Sequence, residues 1–372
     1  MKRLFRKLHL WLSVPFGIVI TLICFSGAML VLEKEITQLT RHSLYYVDEV
    51  HGKSLAIDVL VANASKSLPA DVDIRGVTIY PDPKRTYQLS LSRPQKATLA
   101  IDQYTGEVKG MVQRTPFFSA MFKLHRWLLG SRPEDGGIFW GKVIVGMSTL
   151  LFVIVLVTGV VIWWPRRIKV LKNSLKIKFS SGLHCMWHGL HVAGGVYVVL
   201  LLLVMALTGL TWSFDWYRTA FYGAFGVEMQ QHGGRGGGGN KGSRHGERQT
   251  DMVQYAQWQT VYEQLAASNH NCVSITVADG TATVANNRYG NTRGSDSYVF
   301  DKHTGKIVQF KAYDQLPRTG KVRGWVYSLH TGMFGGIATR VLWFLASLLG
   351  ATLPLTGYYL WIRRLIRKPL KR

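Results

Sequence analysis

The sequence predicts a membrane α-helical protein in which a four-helix transmembrane bundle carries two α+β modules outside the membrane. Three observations predict this fold: four long apolar stretches, positive charge gathered beside them, and a duplication of the whole pattern. The chain has 372 residues, of which 47% are hydrophobic and 18% charged. This apolar content excludes a chain that is disordered throughout.

Four stretches contain no Asp, Glu, Lys or Arg and are long enough to cross a bilayer. They are residues 10–32, 143–164, 192–214 and 341–362. A helix rises about 1.5 Å per residue, so about 20 residues cross a hydrocarbon core of about 30 Å. We therefore expect four transmembrane helices.

Positive charge lies beside these stretches rather than over one soluble face. Segments 1–9, 165–183 and 363–372 together hold 16 Lys and Arg and no Asp or Glu. Cytoplasmic loops carry such an excess, so both termini are expected in the cytoplasm and two large segments outside. The net charge of +24 then predicts contact with membrane lipid and no binding of nucleic acid.

The expected division of the chain follows from these stretches. It comprises a first transmembrane helix with the cytoplasmic N-terminus (1–32), external module 1 (33–119), an interfacial segment with helix 2 (120–164), a basic cytoplasmic loop (165–183), helix 3 (184–214), external module 2 (215–326) with a Gly-rich linker (230–248), an interfacial segment with helix 4 (327–362), and a basic tail (363–372).

The two halves of the chain repeat the same motifs. An offset of 18 residues from histidine to glycine occurs twice, between His9 and Gly27 and between His191 and Gly209. Asp-x-x-Thr-Gly, typical of a turn between strands, occurs at 102–106 and 301–305. Because both halves enter the membrane in the same direction, we expect parallel repeats related by a pseudo-twofold axis along the membrane normal.

Six histidines lie at span ends: His9, His184, His188 and His191 on the cytoplasmic side, and His125 and His330 on the external side. Under the repeat, His9 pairs with His191 and His125 with His330. Two imidazoles from facing helices suit a six-coordinate haem iron that transfers electrons. The pattern predicts two non-covalent haems, with these four histidines as axial ligands.

Other interpretations of the histidines stay open. A histidine at a span end often serves as an interfacial anchor. His184, His188 and His191 share one helix face, so either of the first two could replace His191 as the ligand. His-x-x-x-His is also a zinc spacing, although this cluster offers only Cys185 as a further ligand.

The motifs around these histidines resemble those of a known family. They are Leu8-His9-Leu10-Trp11-Leu12 through Ser26-Gly27, Leu124-His125-Arg126-Trp127, Leu190-His191 through Thr208-Gly209, and Leu329-His330-Thr331-Gly332. Together they resemble, over nearly the whole chain, the PepSY-associated transmembrane proteins, which include iron-regulated membrane proteins and ferric-siderophore (ferrioxamine-type) reductases. The resemblance implies a multi-pass protein of the bacterial inner membrane with periplasmic PepSY-like modules and with haem b in the bundle.

The resemblance also implies an activity, namely haem-dependent reduction of ferric siderophore in the periplasm with release of Fe(II). The electron donor would be quinol or a cytoplasmic reductase. By proximity in sequence, the expected substrate contacts are Arg126, Arg132, Arg323 and Trp325. Two alternatives remain: a non-enzymatic PepSY-type protein that binds a peptidase or envelope partner, and a haem electron-transfer subunit with a protein acceptor.

Overall fold

The structure is a computed structural model that describes residues 2–94, 97–165, 168–177, 182–228 and 252–366. The linker expected at 230–248 lies outside these residues, as does the basic tail beyond residue 366. The chain divides into two compact units. The helical unit comprises Met1–Lys34, Thr115–Phe225 and Val326–Arg372, and the sheet unit comprises Glu35–Arg114 and Gly226–Trp325.

The described residues form α-helices and antiparallel strands. The helices are α1 (Lys2–Val31), α2 (Glu33–Thr40), α3 (His42–Tyr45), α4 (Ile57–Lys66), α5 (Pro116–Trp127), α6 (Trp140–Trp163), α7 (Ile168–Ser174), α8 (Leu183–Gly189), α9 (Gly195–Ser213), α10 (Asp215–Gly223), α11 (Met252–Ser268), α12 (Arg318–Thr331) and α13 (Gly336–Ile366). The strands are β1 (Ile74–Ile79), β2 (Tyr87–Leu91), β3 (Thr98–Ile101), β4 (Val108–Val112), β5 (Ser274–Ala278), β6 (Thr281–Ala285), β7 (Ser295–Phe300) and β8 (Ile307–Lys311).

Four helices of the helical unit are long and apolar enough to cross a membrane: Lys2–Val31, Trp140–Trp163, Leu183–Ser213 and Met333–Ile366. A π-helical turn, Leu190–Gly194, joins α8 to α9 within the third of them. Each predicted span ends inside the observed helix or within one residue of its last residue. At the other end, three of the four helices begin roughly two turns before the predicted span does. In the first helix the missed turns hold Lys2, Arg3, Arg6 and Lys7, and the fourth helix continues through Arg340, because charged residues near a membrane interface remain helical. The extra turns of the third helix contain no Asp, Glu, Lys or Arg, so charge does not explain why the predicted span begins only after His191.

The four long helices pack as a closed ring. Helix α1 contacts α6 and α13, and α9 contacts the same two helices. Each helix contributes a buried apolar side chain to the centre of the ring, as Ile20, Phe152, Leu202 and Ala346 illustrate. The expected four-helix bundle is therefore present, and it brings the two halves of the chain into contact.

The sheet unit contains one eight-stranded antiparallel sheet in the order β4-β3-β2-β1-β5-β6-β7-β8. Strands β1 and β5 pair at its centre, where Val77 lies opposite Val277. Both residues are fully buried, in a core that α4 and α11 complete. The two expected α+β modules therefore share a single sheet, which local sequence patterns did not predict.

The Asp-x-x-Thr-Gly segments are turns between neighbouring strands, as predicted. The Asp301 carboxylate accepts hydrogen bonds from the backbone N–H groups of Thr304 (2.8 Å) and His303 (3.0 Å). These bonds, together with that from the Thr304 hydroxyl, hold the pKa of Asp301 below its usual value. Gly305 follows with φ +68°, a conformation that favours glycine. Asp102 makes the equivalent bonds between β3 and β4.

Substitutions of Trp258, on α11, test the packing of the core beneath the shared sheet. Its side chain is 0% exposed, and its indole N–H has no hydrogen-bond partner among the described residues. We expect Trp258→Ala to cost about 3–5 kcal/mol. Trp258→Phe also removes a donor whose unpaired burial costs about 1–3 kcal/mol, so its net effect should be small.

Thermal unfolding of the full chain in detergent measures both variants. Trp258→Ala should lower the melting temperature of the sheet unit strongly, and Trp258→Phe by less than a third as much. Equal losses in the two variants would show that the indole N–H is satisfied or that the residue is not packed as described.

Candidate functional site

The bundle brings two pairs of histidines together. His9 on α1 faces His191 in the π-helical turn, with ring centroids 6.4 Å apart. Near the other end of α1, His125 on α5 faces His330 on α12, with centroids 6.1 Å apart. We call these the first pair and the second pair. Each pair takes one histidine from each half of the chain.

Every one of the four rings is anchored to the backbone of a facing helix. The Nδ1 atoms donate to backbone carbonyl oxygens at 2.9–3.1 Å: His9 to Val155, His191 to Leu353, His125 to Ile23 and His330 to Met205. Because a carbonyl oxygen can only accept, Nδ1 must carry the proton. In a neutral ring, Nε2 is then left as an unprotonated nitrogen able to bind a metal.

A Ser/Thr–Gly pair follows each of these carbonyls three residues later. The pairs are Thr158-Gly159, Thr356-Gly357, Ser26-Gly27 and Thr208-Gly209. The three threonine hydroxyls also lie 2.9–3.1 Å from the Nδ1 atom of their histidine. Such outer hydrogen bonds set ring orientation and ligand basicity in metal sites. The recurrence of Ser/Thr–Gly was visible in the sequence, but its contact with histidine was not.

The glycines of these pairs allow the rings to approach closely. An added Cβ would lie 2.9 Å from the ring of His125 at Gly27 and 3.1 Å from that of His330 at Gly209. At the first pair the corresponding distances are larger, 3.4 Å at Gly159 and 3.3 Å at Gly357. The tightest helix–ring contact is therefore at the second pair.

Local backbone structure places the histidines of the second pair at the ends of their helices. Helix α12 ends just after His330, where Gly332 adopts φ +70° and an added Cβ would lie 2.6 Å from Cγ of Trp343. The Trp343 indole N–H donates to the carbonyl of Leu329 at 2.8 Å. Helix α5 ends after Trp127, with Leu128 at φ +50°.

A cavity of about 480 Å³ surrounds the first pair. Its volume lies within the range of about 300–1,000 Å³ that is usual for ligand pockets. Its lining is largely apolar, with the small residues Ser13 and Gly195 beside the histidines. Two cations, Arg6 and Arg364, also line it. Neither arginine was predicted as a site residue, because no local motif distinguishes it from the other basic residues at span ends.

The geometry of both pairs fits an iron held between two imidazoles. A metal–nitrogen bond of about 2 Å, with each ring centre about 1 Å beyond its nitrogen, places two opposed ring centroids about 6 Å apart. The observed separations of 6.4 and 6.1 Å match that value. A closed zinc site loses support, because the described residues hold no group of three His, Cys, Asp or Glu side chains placed to bind a metal.

The three histidines His184, His188 and His191 have different surroundings. His191 alone of them faces His9. His188 is exposed and lines the cavity of the first pair. The ring of His184 lies 6.3 Å from that of Tyr359. The geometry therefore favours His191 as the partner of His9.

The four predicted substrate contacts divide between the units. Arg126, in the helical unit, is half-buried, with its guanidinium 5.6 Å from the centre of the Trp127 ring. Arg132 belongs to the same unit and is exposed. Arg323, which is exposed, and Trp325, which is half-buried, belong to the sheet unit. The four residues therefore do not form one site within either unit.

A pair of alanine substitutions tests how closely the rings approach the helices. Gly27→Ala places a methyl group 2.9 Å from the His125 ring, whereas Gly159→Ala places one at an ordinary 3.4 Å from His9. Both gain about 1 kcal/mol of helix propensity, which cancels in the comparison. We expect only Gly27→Ala to lower the melting temperature in detergent. Equal melting temperatures would contradict the contact.

Comparison with known proteins agrees with the features described above. No curated protein matches the chain. The family model described as the PepSY-associated TM region matches residues 6–364. That range includes both histidine pairs and nearly all of the four long helices. The chain therefore belongs to the family of PepSY-associated transmembrane proteins.

Proposed function

We propose that this protein is a di-haem b reductase of the bacterial inner membrane, which passes electrons outward and reduces ferric siderophore in the periplasm, releasing Fe(II). The observation that carries the proposal is the pair of facing imidazole sites. In each site the proton lies on Nδ1, and the two rings stand at the separation that one iron requires.

The positions of the two pairs support electron transfer across the membrane. Helix α1 carries both His9, of the first pair, and Gly27, which contacts His125 of the second pair. Gly27 lies 18 residues after His9. This spacing corresponds to about 27 Å of helix rise, close to the thickness of a hydrocarbon core. With both termini in the cytoplasm, the first pair lies at the inner face and the second pair at the periplasmic face.

The contacts of the two halves also favour the expected pseudo-twofold relation. His9 and His191 donate to a carbonyl and a threonine of α6 and α13 in the same way. His125 and His330 likewise donate to α1 and α9. The two histidines of each pair would then hold one cofactor between them.

The chain's own residues hold and orient the cofactor. Haem bound in these sites supplies a one-electron carrier. The carbonyls and threonines fix the ring planes, and the apolar lining of the cavity excludes water from the first site. Arg6 and Arg364 provide positive charge at that cavity, which suits the carboxylates of a porphyrin.

A site that transfers single electrons is suited to the reduction of a ferric chelate. A siderophore binds hard Fe(III) far more tightly than Fe(II), so one electron releases the metal without breaking the chelator.

The non-enzymatic alternative is less well supported by the geometry. Histidines acting as interfacial anchors would point to headgroups, whereas these rings face each other and bond to facing helices.

Alanine variants of the four histidines test the cofactor assignment. We expect two haems per chain in the purified protein, with a Soret band and sharp α and β bands after reduction. His9→Ala and His191→Ala should lose the same haem, and His125→Ala and His330→Ala the other, because each iron depends on both ligands. His303→Ala, an exposed residue of the sheet unit, serves as the control. Unchanged haem in all four variants would reject the assignment.

Reoxidation of the reduced protein tests the acceptor. Under anaerobic conditions, ferric desferrioxamine B should reoxidise the protein with one Fe(II) trapped by a colorimetric chelator per electron lost. The gallium(III) complex, which has the same shape and is not reduced, should leave the protein reduced. A protein that keeps its haem but is not reoxidised by any ferric siderophore would instead be an electron-transfer subunit for a protein acceptor.

A further inference from the structure

Arg126 lies in the last turn of α5, directly after His125 of the second pair. His125 is the only one of the four paired histidines that a cation follows in the sequence. The residues after the other three are Leu10, Val192 and Thr331. The second pair therefore has a charged neighbour for which the repeat provides no counterpart.

Two aromatic rings hold the guanidinium group of Arg126. Its central carbon lies 5.6 Å from the centre of the Trp127 ring and 5.8 Å from the centre of the Phe122 ring. The Trp127 ring also contacts the rings of Phe122 and Phe139, with centroids 5.7 and 5.6 Å apart. The faces of such rings attract a cation but carry no net charge that could neutralise it.

Carboxylates are scarce around Arg126. The acidic residues of the helical unit are Glu33, Glu134, Asp135 and Asp215. Within the described part of the chain, none of them forms an ion pair with Arg126, and Asp215 pairs with Arg218 at 2.8 Å. Because an arginine keeps its proton in proteins, a positive charge remains at this half-buried position.

The charge of Arg126 acts on both rings of the second pair. Burial lowers the pKa of His125 and of His330, and the positive charge of Arg126 is a further cause at each ring. A positive charge that opposes a proton on these rings also opposes added positive charge on a metal held between them. It therefore favours the reduced form of that metal, which carries one positive charge less.

We propose that Arg126 raises the reduction potential of an iron held by the second pair above that of an iron held by the first pair, and so directs electrons outward. In each transfer, iron at the first pair is oxidised from Fe(II) to Fe(III) and iron at the second pair is reduced from Fe(III) to Fe(II). The inference rests on the proposed function, since it gives that electron path its direction.

This role differs from the one that the sequence suggested for Arg126, which was contact with the substrate. Arg126 acts through its charge on the site of the second pair and does not touch the reacting atoms. At the first pair, Arg6 and Arg364 are assigned to the carboxylates of the porphyrin, whose negative charges offset them. The cation beside the second pair is the one held by uncharged rings.

Potentiometric titration of the purified full chain with its haem, in detergent, tests the proposal. Arg126→Gln removes the charge and should lower the potential of one haem, whereas Arg126→Lys keeps the charge and should retain most of the wild-type value. A unit charge roughly 10 Å from a redox centre changes a one-electron equilibrium by about tenfold at an effective dielectric constant of about 20, which is equal to about 59 mV. Lys123→Gln, which removes an exposed charge from the same helix, should leave both potentials unchanged.

Variants that keep one histidine pair assign the shift to a site. In His9→Ala the remaining haem is expected at the second pair, and the addition of Arg126→Gln should lower its potential by the same amount. In His330→Ala the remaining haem is expected at the first pair, and the addition of Arg126→Gln should leave its potential unchanged.

Three outcomes would overturn the proposal. Wild-type potentials in Arg126→Gln would exclude an effect of the charge, and weaker binding of gallium(III) desferrioxamine B by that variant would then return Arg126 to the substrate contacts. A shift of equal size in Arg126→Lys would show a structural effect. A shift of equal size in Lys123→Gln would show a general effect of surface charge.

The test separates this proposal from the proposed function. A preparation without haem would reject the reductase, and this proposal with it. A protein that holds two haems and reduces ferric siderophore, but whose potentials do not depend on Arg126, would reject this proposal alone. Two haems whose potentials depend on Arg126, in a protein that reduces no ferric siderophore, would support this proposal and reject only the acceptor.

Discussion

The hydrogen bond from each histidine Nδ1 to a carbonyl of a facing helix is the interaction on which both sites depend. It sets the tautomer, so that Nε2 is the nitrogen available to a metal. It also requires close approach of ring and helix, which explains the glycine four residues beyond the carbonyl, as at Gly27 and Gly209. A side chain at these positions would separate the ring from its acceptor. Ring orientation, the basicity of Nε2 and helix packing therefore follow from one contact, made four times.

The surroundings of this contact differ between the halves even though the contact is kept. Ser26 and Thr208 donate their hydroxyl hydrogens in the same way, to the carbonyls of Leu22 and Val204 at 2.6 Å each. Thr208 Oγ1 also lies 3.1 Å from His330 Nδ1, whereas the hydrogen bond shown for His125 Nδ1 is the one to Ile23. Helix α5, which carries His125, is followed by Leu128 in the left-handed region, and helix α12, which carries His330, is followed by Gly332 in that region. The hydrogen bond from Nδ1 to a carbonyl is the same at all four rings. The helix ends and the hydroxyl contacts around the rings differ, so several local structures can hold an imidazole in this position.

The parts of the fold that the sequence predicted are those with local signals. Spans follow from stretches without charge, and the strand turns follow from Asp and Gly at set positions, as Asp301 and Gly305 show. The sequence predicted that His9 pairs with His191 and His330 with His125 only because the two halves of the chain repeat the same motifs. No local sequence pattern indicates the pairing of β1 with β5 or the π-helical turn at His191. Each depends on contacts between residues far apart in sequence.

Long-range pairing has a consequence for how the protein assembles. Val77 and Val277 pair across 200 residues of chain, and His9 meets His191 across a comparable interval. Contacts of such separation form late, since the closure of a long loop must precede them. The sheet cannot be completed, and neither histidine pair can form, until the second half lies beside the first. Both histidine pairs are thus properties of the joined halves, and a single half would present histidines with carbonyl partners but without a facing ring.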